Sequence, residues 1–235
     1  MVKIQNIEKL FYDITTYSYL TFPLVLLFAR EKKGLPLILG IYGAIVFSYL
    51  YCFRYMGLGL EERLVMQSLY TPFEYLVFTY MFFATTSKRK KIILAILSAC
   101  FILFLVWLVI FNPIELNSPF ILDSIPIGIE TILIFIYIFS FLYEQSKKDT
   151  SESIYNSSLF WISIGLLFYL GGSFFFNILV TQMSIDEFDN YWHYTYIAEI
   201  LKNVLFVVAL LKISAEKKKD LLPQARMPYL DIDMN

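Results

Sequence analysis

Long apolar runs alternate with short charged ones along this chain, and seven of the runs approach the length of a membrane-crossing helix. They cover Leu10 to Ala29, Leu35 to Phe53, Leu64 to Thr86, Ile92 to Phe111, Ile127 to Tyr143, Leu159 to Val180 and Tyr191 to Leu211. A helix needs about 20 residues to cross ~30 Å of hydrocarbon. Strands of a membrane barrel would run to about ten residues and alternate in polarity; these runs are longer and apolar on all sides. The pattern predicts an all-α polytopic membrane protein, a seven-transmembrane-helix bundle over residues 1–212 with a short tail over 213–235. No internal repeat or domain boundary interrupts it.

The polar connections orient the bundle. Lys and Arg are translocated poorly and so mark cytoplasmic loops. Arg30, Lys32 and Lys33 follow the first run, Lys88 to Lys91 the third, Lys147 and Lys148 the fifth, and Lys212 with Lys217 to Lys219 the seventh. The opposite loops read GLGLEERL, NPIELNSPFILDSIP and TQMSIDEFDN, and the last two hold no Lys or Arg. The expectation is an outside N-terminus, a cytoplasmic C-terminus and a multi-pass protein of the cell membrane. The N-terminal MVKIQNIEKLFYD has acids among its bases and no small-residue cleavage site, so a signal peptide is not expected there.

Composition sharpens the class. Hydrophobic residues make up 58% of the chain, where soluble domains hold about 45–50%. The net charge of −1 points to no partner by itself, and nothing suggests nucleic acid. Cys52 and Cys100 fall within apolar runs and read as small packed hydrophobes.

Several spans also carry ionisable or amide groups, which are costly in hydrocarbon: a charge at the bilayer centre costs about 2.5–3.5 kcal/mol on insertion scales. Residues three, four, seven and eleven apart share a helix face. On that rule Arg63, Gln67, Tyr70, Thr71 and Glu74 form one stripe of the third span. Thr195, Tyr196, Glu199, Lys202 and Asn203 form one on the seventh, Tyr169, Ser173 and Asn177 one on the sixth, and Asp13, Thr16 and Tyr17 one on the first. Glu130 lies one heptad after Asp123. Given the orientation, Asp13, Glu130, His193, Glu199, Ser173 and Asn177 sit in the outer half, with Glu74 and Lys202 near the middle. The fourth span has only Ser98 and Cys100 and should face lipid broadly. The stripes of the others should converge on an outward-facing polar cavity lined by Gln67, Tyr70, Glu74, Glu130, Tyr169, Ser173, Asn177, His193, Glu199, Lys202 and Asn203. Lys202 can pair with Glu199 on its own helix or with Glu74 across the bundle. The three glutamates outnumber it, so one carboxyl is left unpaired, protonated or available to a cation. A purely structural role, holding helices together by hydrogen bonds, competes with a ligand- or proton-responsive one.

Smaller features follow the same logic. Gly165, Gly171 and Gly172 should allow close helix packing, and Pro23 and Pro72 should kink their spans. Catalytic motifs are mostly missing: one histidine excludes HExxH, and there is no Gly-rich phosphate loop or GxSxG elbow. A Ser173–His193 dyad resembles intramembrane serine proteases only in pairing Ser and His on neighbouring spans.

Seven spans, an outside N-terminus, Lys202 in the seventh span and an acid, Glu74, in the third resemble microbial rhodopsins. That likeness implies retinal on Lys202 with Glu74 as counterion. Against it, Glu199 precedes Lys202 by three residues where that family's acid precedes its lysine by four, and the family's tryptophan-rich retinal walls are missing. Span number and orientation also resemble the seven-helix bacterial modules that serve histidine kinases or cyclases as sensory inputs, here without a fused output domain. The resemblance implies a sensor or accessory module that takes a small ligand or proton from outside and signals to a cytoplasmic partner. A small transporter or channel with Glu74, Glu130 and Glu199 on its path is the alternative.

Overall fold

The structure is a computed structural model that describes residues 2–29, 32–57, 59–83, 86, 88–111, 119–147, 154–180 and 193–221. Those residues are helical with no strand among them. The helices are α1 (Val2–Ser18), α2 (Thr21–Phe28), α3 (Leu35–Tyr55), α4 (Leu60–Phe83), α5 (Lys88–Phe111), α6 (Pro119–Ser146), α7 (Ser158–Val180) and α8 (His193–Leu221), with a 3-10 turn at Ile154–Asn156 before α7. Among the described residues, four stretches are long and apolar enough to cross a membrane: Leu35–Tyr55, Lys90–Leu108, Ile125–Ser146 and Ser158–Phe176.

The apolar runs fall on these helices, but only the runs of α3, α5, α6 and α7 coincide with the four candidate spans, and the helices differ from the runs in other ways. The first run is a broken helix. Pro23 has no N–H to give the Tyr19 carbonyl, and its ring would clash there in a continuous helix. The chain therefore breaks at Tyr19–Leu20. Local bonds close the ends: Thr21 Oγ1 donates to the Ser18 carbonyl at 2.6 Å, Ser18 Oγ to the Thr15 carbonyl at 2.6 Å, and Phe22 N to the Tyr19 carbonyl at 3.3 Å. α4 and α6, by contrast, run through Pro72 and Pro126. α6 also begins at Pro119, so the second half of the expected outer loop NPIELNSPFILDSIP is helix; proline is well suited to a first helical turn. α8 continues to Leu221, ten residues past the apolar run and into the expected tail. Ala215, Glu216 and Lys217 to Lys219 are residue types that favour helix.

α7 packs most extensively against α8, and α2 against α3. Both seams depend on glycine. A Cβ at Gly172 would lie 3.1 Å from Ala198 Cβ, and one at Gly165 3.2 Å from Phe206. The α2–α3 seam is tighter: a Cβ at Gly43 would come within 2.6 Å of the Tyr19 carbonyl oxygen. Gly43 thus lets α3 touch the backbone of the break. The core between the helices is aromatic, with Tyr19, Phe22, Tyr42, Phe78 and Phe206 fully buried. α5 stands outside it: only 11% of its apolar stretch is buried, against 39% for that of α6, and Ile92, Ile96, Leu103 and Ile110 point outward. Its inward contacts include Ser98, which accepts from Tyr75 at 2.9 Å and lies 3.3 Å from the Tyr137 hydroxyl, and Phe101, whose ring packs edge-on to Tyr75 at 4.6 Å.

Candidate functional site

Lys202 is the most deeply buried charge among the described residues, with no exposed surface. A bare ammonium in hydrocarbon is prohibitive, so its surroundings must compensate. Nζ donates to Tyr19 Oη at 2.9 Å, to Tyr42 Oη at 3.0 Å and to Glu74 Oε1 at 3.4 Å. It also sits 3.8 Å from the centre of the Tyr169 ring, with the rings of Tyr19, Tyr42 and Phe78 between 5.1 and 5.8 Å. An ammonium over aromatic faces is stabilised most where water is excluded.

Glu74 is held as firmly. Its Oε1 accepts from Tyr42 at 2.6 Å and from Tyr70 at 3.0 Å, and its Oε2 from Tyr169 at 2.9 Å. Tyr42 therefore accepts from the ammonium and donates to the carboxylate. Tyr19 makes the equivalent bridge on the other side, accepting from Lys202 and donating to Glu199. Glu199 thus reaches Lys202 through a phenol, and the direct ion pair is the one across the bundle, Glu74–Lys202 at 3.4 Å. The node joins the α1–α2 break, α3, α4, α7 and α8.

Of the residues expected from the sequence, Glu74, Tyr70, Tyr169 and Lys202 meet directly, and Glu199 joins through Tyr19. Asn203 lies beside the node, fully buried, and donates through Nδ2 to Ser18 Oγ at 2.7 Å. Glu130 is buried on α6, and its Oε1 has no hydrogen-bond partner. Ser173 turns back to its own helix, donating to the Tyr169 carbonyl at 2.8 Å, so a dyad with His193 would first have to break that bond. The side chains of Gln67, Asn177 and His193 lie outside the described residues.

Tyr19 and Tyr42 were not anticipated. Tyr19 is not on the stripe of the first run, Asp13, Thr16 and Tyr17, and the run holding Tyr42 has no polar stripe at all. The available signal was indirect: Pro23 four residues after Tyr19, and Gly40 and Gly43 flanking Tyr42.

Comparison with protein-family models, with curated proteins and with solved structures gives no match to this chain.

Proposed function

We propose that this protein is a seven-span membrane sensor or accessory module, N-terminus outside, whose responsive element is the Glu74–Lys202 node. One observation carries the reading. A single ammonium ties together five helical elements through phenols that bridge it to two carboxylates. A change in that network's charge alters contacts on every one of those helices at once, which is what a switch between packing arrangements requires. A small ligand or proton entering from outside would supply the change, and a separate cytoplasmic protein would read it at the basic ends.

The orientation rests on the loop charges and on where the basic residues pack. Lys90 pairs with Glu144 at 2.7 Å, joining the start of α5 to the end of α6. Lys212 lies over Trp161, joining the end of the last apolar run, nine residues before the end of α8, to the first turns of α7. Those four termini belong to one end of an alternating bundle.

Hydrogen exchange on the purified chain in nanodiscs, read at the cytoplasmic ends of α4 and α8, tests the proposal. Glu74→Gln and Lys202→Met should each change protection there while leaving insertion and monodispersity intact. If both variants merely unfold to the same degree, the node is a structural clamp and the sensing role fails.

Glu130 favours the second reading, a small transporter or channel. A buried carboxyl with an unpartnered oxygen is a stepping stone for a proton or cation. Flux in liposomes that Glu74→Gln or Glu130→Gln abolishes would support it. The rhodopsin-like alternative needs Nζ freed from Tyr19 and Tyr42 and a red-shifted absorption band on adding retinal.

A further inference from the structure

Among the described residues, five buried side-chain oxygens lack a hydrogen-bond partner, and three of them lie on one seam: Thr15 Oγ1, Thr16 Oγ1 and Asn203 Oδ1. The seam joins α1 to α8. Tyr12 packs edge-on to Tyr196 at 5.8 Å, Tyr19 donates to Glu199, and Asn203 donates to Ser18. Residues 196, 199 and 203 share one face of α8, and Thr15 and Thr16 lie on α1 between Tyr12 and the break at Tyr19.

Buried helical hydroxyls such as Thr131 and Ser163 donate to the carbonyl one turn back, to Ile127 and Leu159, both at 2.8 Å, while Thr79 on α4 is a lone orphan away from this seam. Thr15 and Thr16 forgo that bond. The Asn203 amide cannot be turned to satisfy them. Ser18 has given its hydrogen to the Thr15 carbonyl, so it must accept from Nδ2, which leaves Oδ1 as the free end. Tyr12 gives its hydrogen to the Leu50 carbonyl at 2.6 Å, so toward Thr16 its oxygen can only accept; the Thr16 hydroxyl can send its hydrogen there, and the lone pairs of its Oγ1 stay free. What the seam offers is a set of bare oxygens beside a carboxylate, at the point where a helix is broken.

We propose that this seam binds a small alkali cation, held by Thr15 Oγ1, Thr16 Oγ1, Asn203 Oδ1 and the Glu199 carboxylate. Hydroxyl, amide and carboxylate oxygens are the ligands of hard cations. Charge selects a monovalent ion. Glu74 and Glu199 share a single ammonium, so one positive charge balances the node. A second charge would face Lys202, which is only one phenol away from Glu199. Discontinuous helices bring ion ligands together at mid-membrane in the same way in transporters. Glu199 is only part-buried, which leaves an approach from its side of the seam. The site needs only that the bundle folds, and it holds whether the chain senses or transports.

The test uses the full chain in nanodiscs and sodium as the probe. Melting is followed in NaCl, KCl and choline chloride at matched ionic strength, with direct binding of radioactive sodium as the second readout. Sodium should raise the melting temperature saturably where choline does not. The isosteric pair Thr15→Val and Thr16→Val should weaken apparent sodium affinity at least tenfold, and the pair Thr15→Ser and Thr16→Ser should keep it. A wild-type protein with no sodium-over-choline effect up to about 0.3 M overturns the proposal, because a bound ligand must stabilise by mass action. A trapped water in the seam would give that same ion-independent result. Valine and serine variants that respond alike also overturn it. A sodium effect on melting with no change in exchange at the cytoplasmic ends would keep the site and leave the sensing role of the Glu74–Lys202 node to its own test.

Discussion

Removing the ammonium of Lys202 is the sharpest perturbation of the node. In Lys202→Met the side chain keeps its length and packing, but Glu74 loses its countercharge. Two tyrosine bonds to Nζ disappear, each worth about 0.6 kcal/mol by the average for hydrogen bonds inside membranes. The contact with the Tyr169 ring at 3.8 Å goes too, worth about 2 kcal/mol where water is excluded. Breaking a buried pair from one side costs about 3–5 kcal/mol in total, and that is the expected loss. Glu74→Gln strands the ammonium instead, with Tyr42, Tyr70 and Tyr169 still in place. The double variant removes both charges and should be much less damaged than the sum of the singles. Coupling of about 2 kcal/mol or more in the cycle, by reversible unfolding in mixed micelles, is the expected result. Additivity within about 0.5 kcal/mol would mean that the two groups act independently, and the node as described would not exist.

Further outcomes follow from other contacts. Gly43→Ala should destabilise by about 1–3 kcal/mol, because its Cβ meets backbone at the break. Gly171→Ala, whose nearest neighbour would be an ordinary 3.9 Å contact, should be near neutral in the same unfolding assay. Tyr169→Phe keeps the face over Lys202 and should cost less than Tyr169→Leu by about 1 kcal/mol or more, measured by thermal melts. Glu144→Gln should change stability by under about 0.5 kcal/mol, since its pair with Lys90 is solvent-accessible. For orientation, Ser87→Cys in a background without Cys52 and Cys100 should label only after permeabilisation, and Ser184→Cys in intact cells.

The helices were legible because bilayer-length apolar runs and charged punctuation are strong signals. Their ends were less so. α8 outran its apolar run because Glu216 to Lys219 favour helix without being hydrophobic, and hydropathy does not register that preference. The acid–base half of the node was legible for a related reason: Glu74 and Lys202 are so costly in hydrocarbon that they must face inward. The phenols were not. Tyrosine is common here, with 18 in the chain, and a buried bridging tyrosine looks like any interface or core tyrosine. Tyr19 owes its place to the break imposed by Pro23, and Tyr42 to its position on α3 next to Gly43. Neither cause is written at the residue itself. Helical spacing likewise placed Ser173 in line with Tyr169, but a serine can satisfy itself on its own backbone, and this one does.

The unbroken run of α8 gives the node mechanical reach. From Lys202 to Leu221 the helix extends nineteen residues, about 28 Å at 1.5 Å each. With Lys202 as pivot, a tilt of only about 5° would swing the far end by roughly 2.5 Å over that length. A displacement of that size, delivered at a lysine-rich tip, is enough to make or break a docking contact. The extra turns beyond the apolar run would then act as the long arm of a lever, turning a rearrangement too small to see at its fulcrum into one a neighbouring protein can feel.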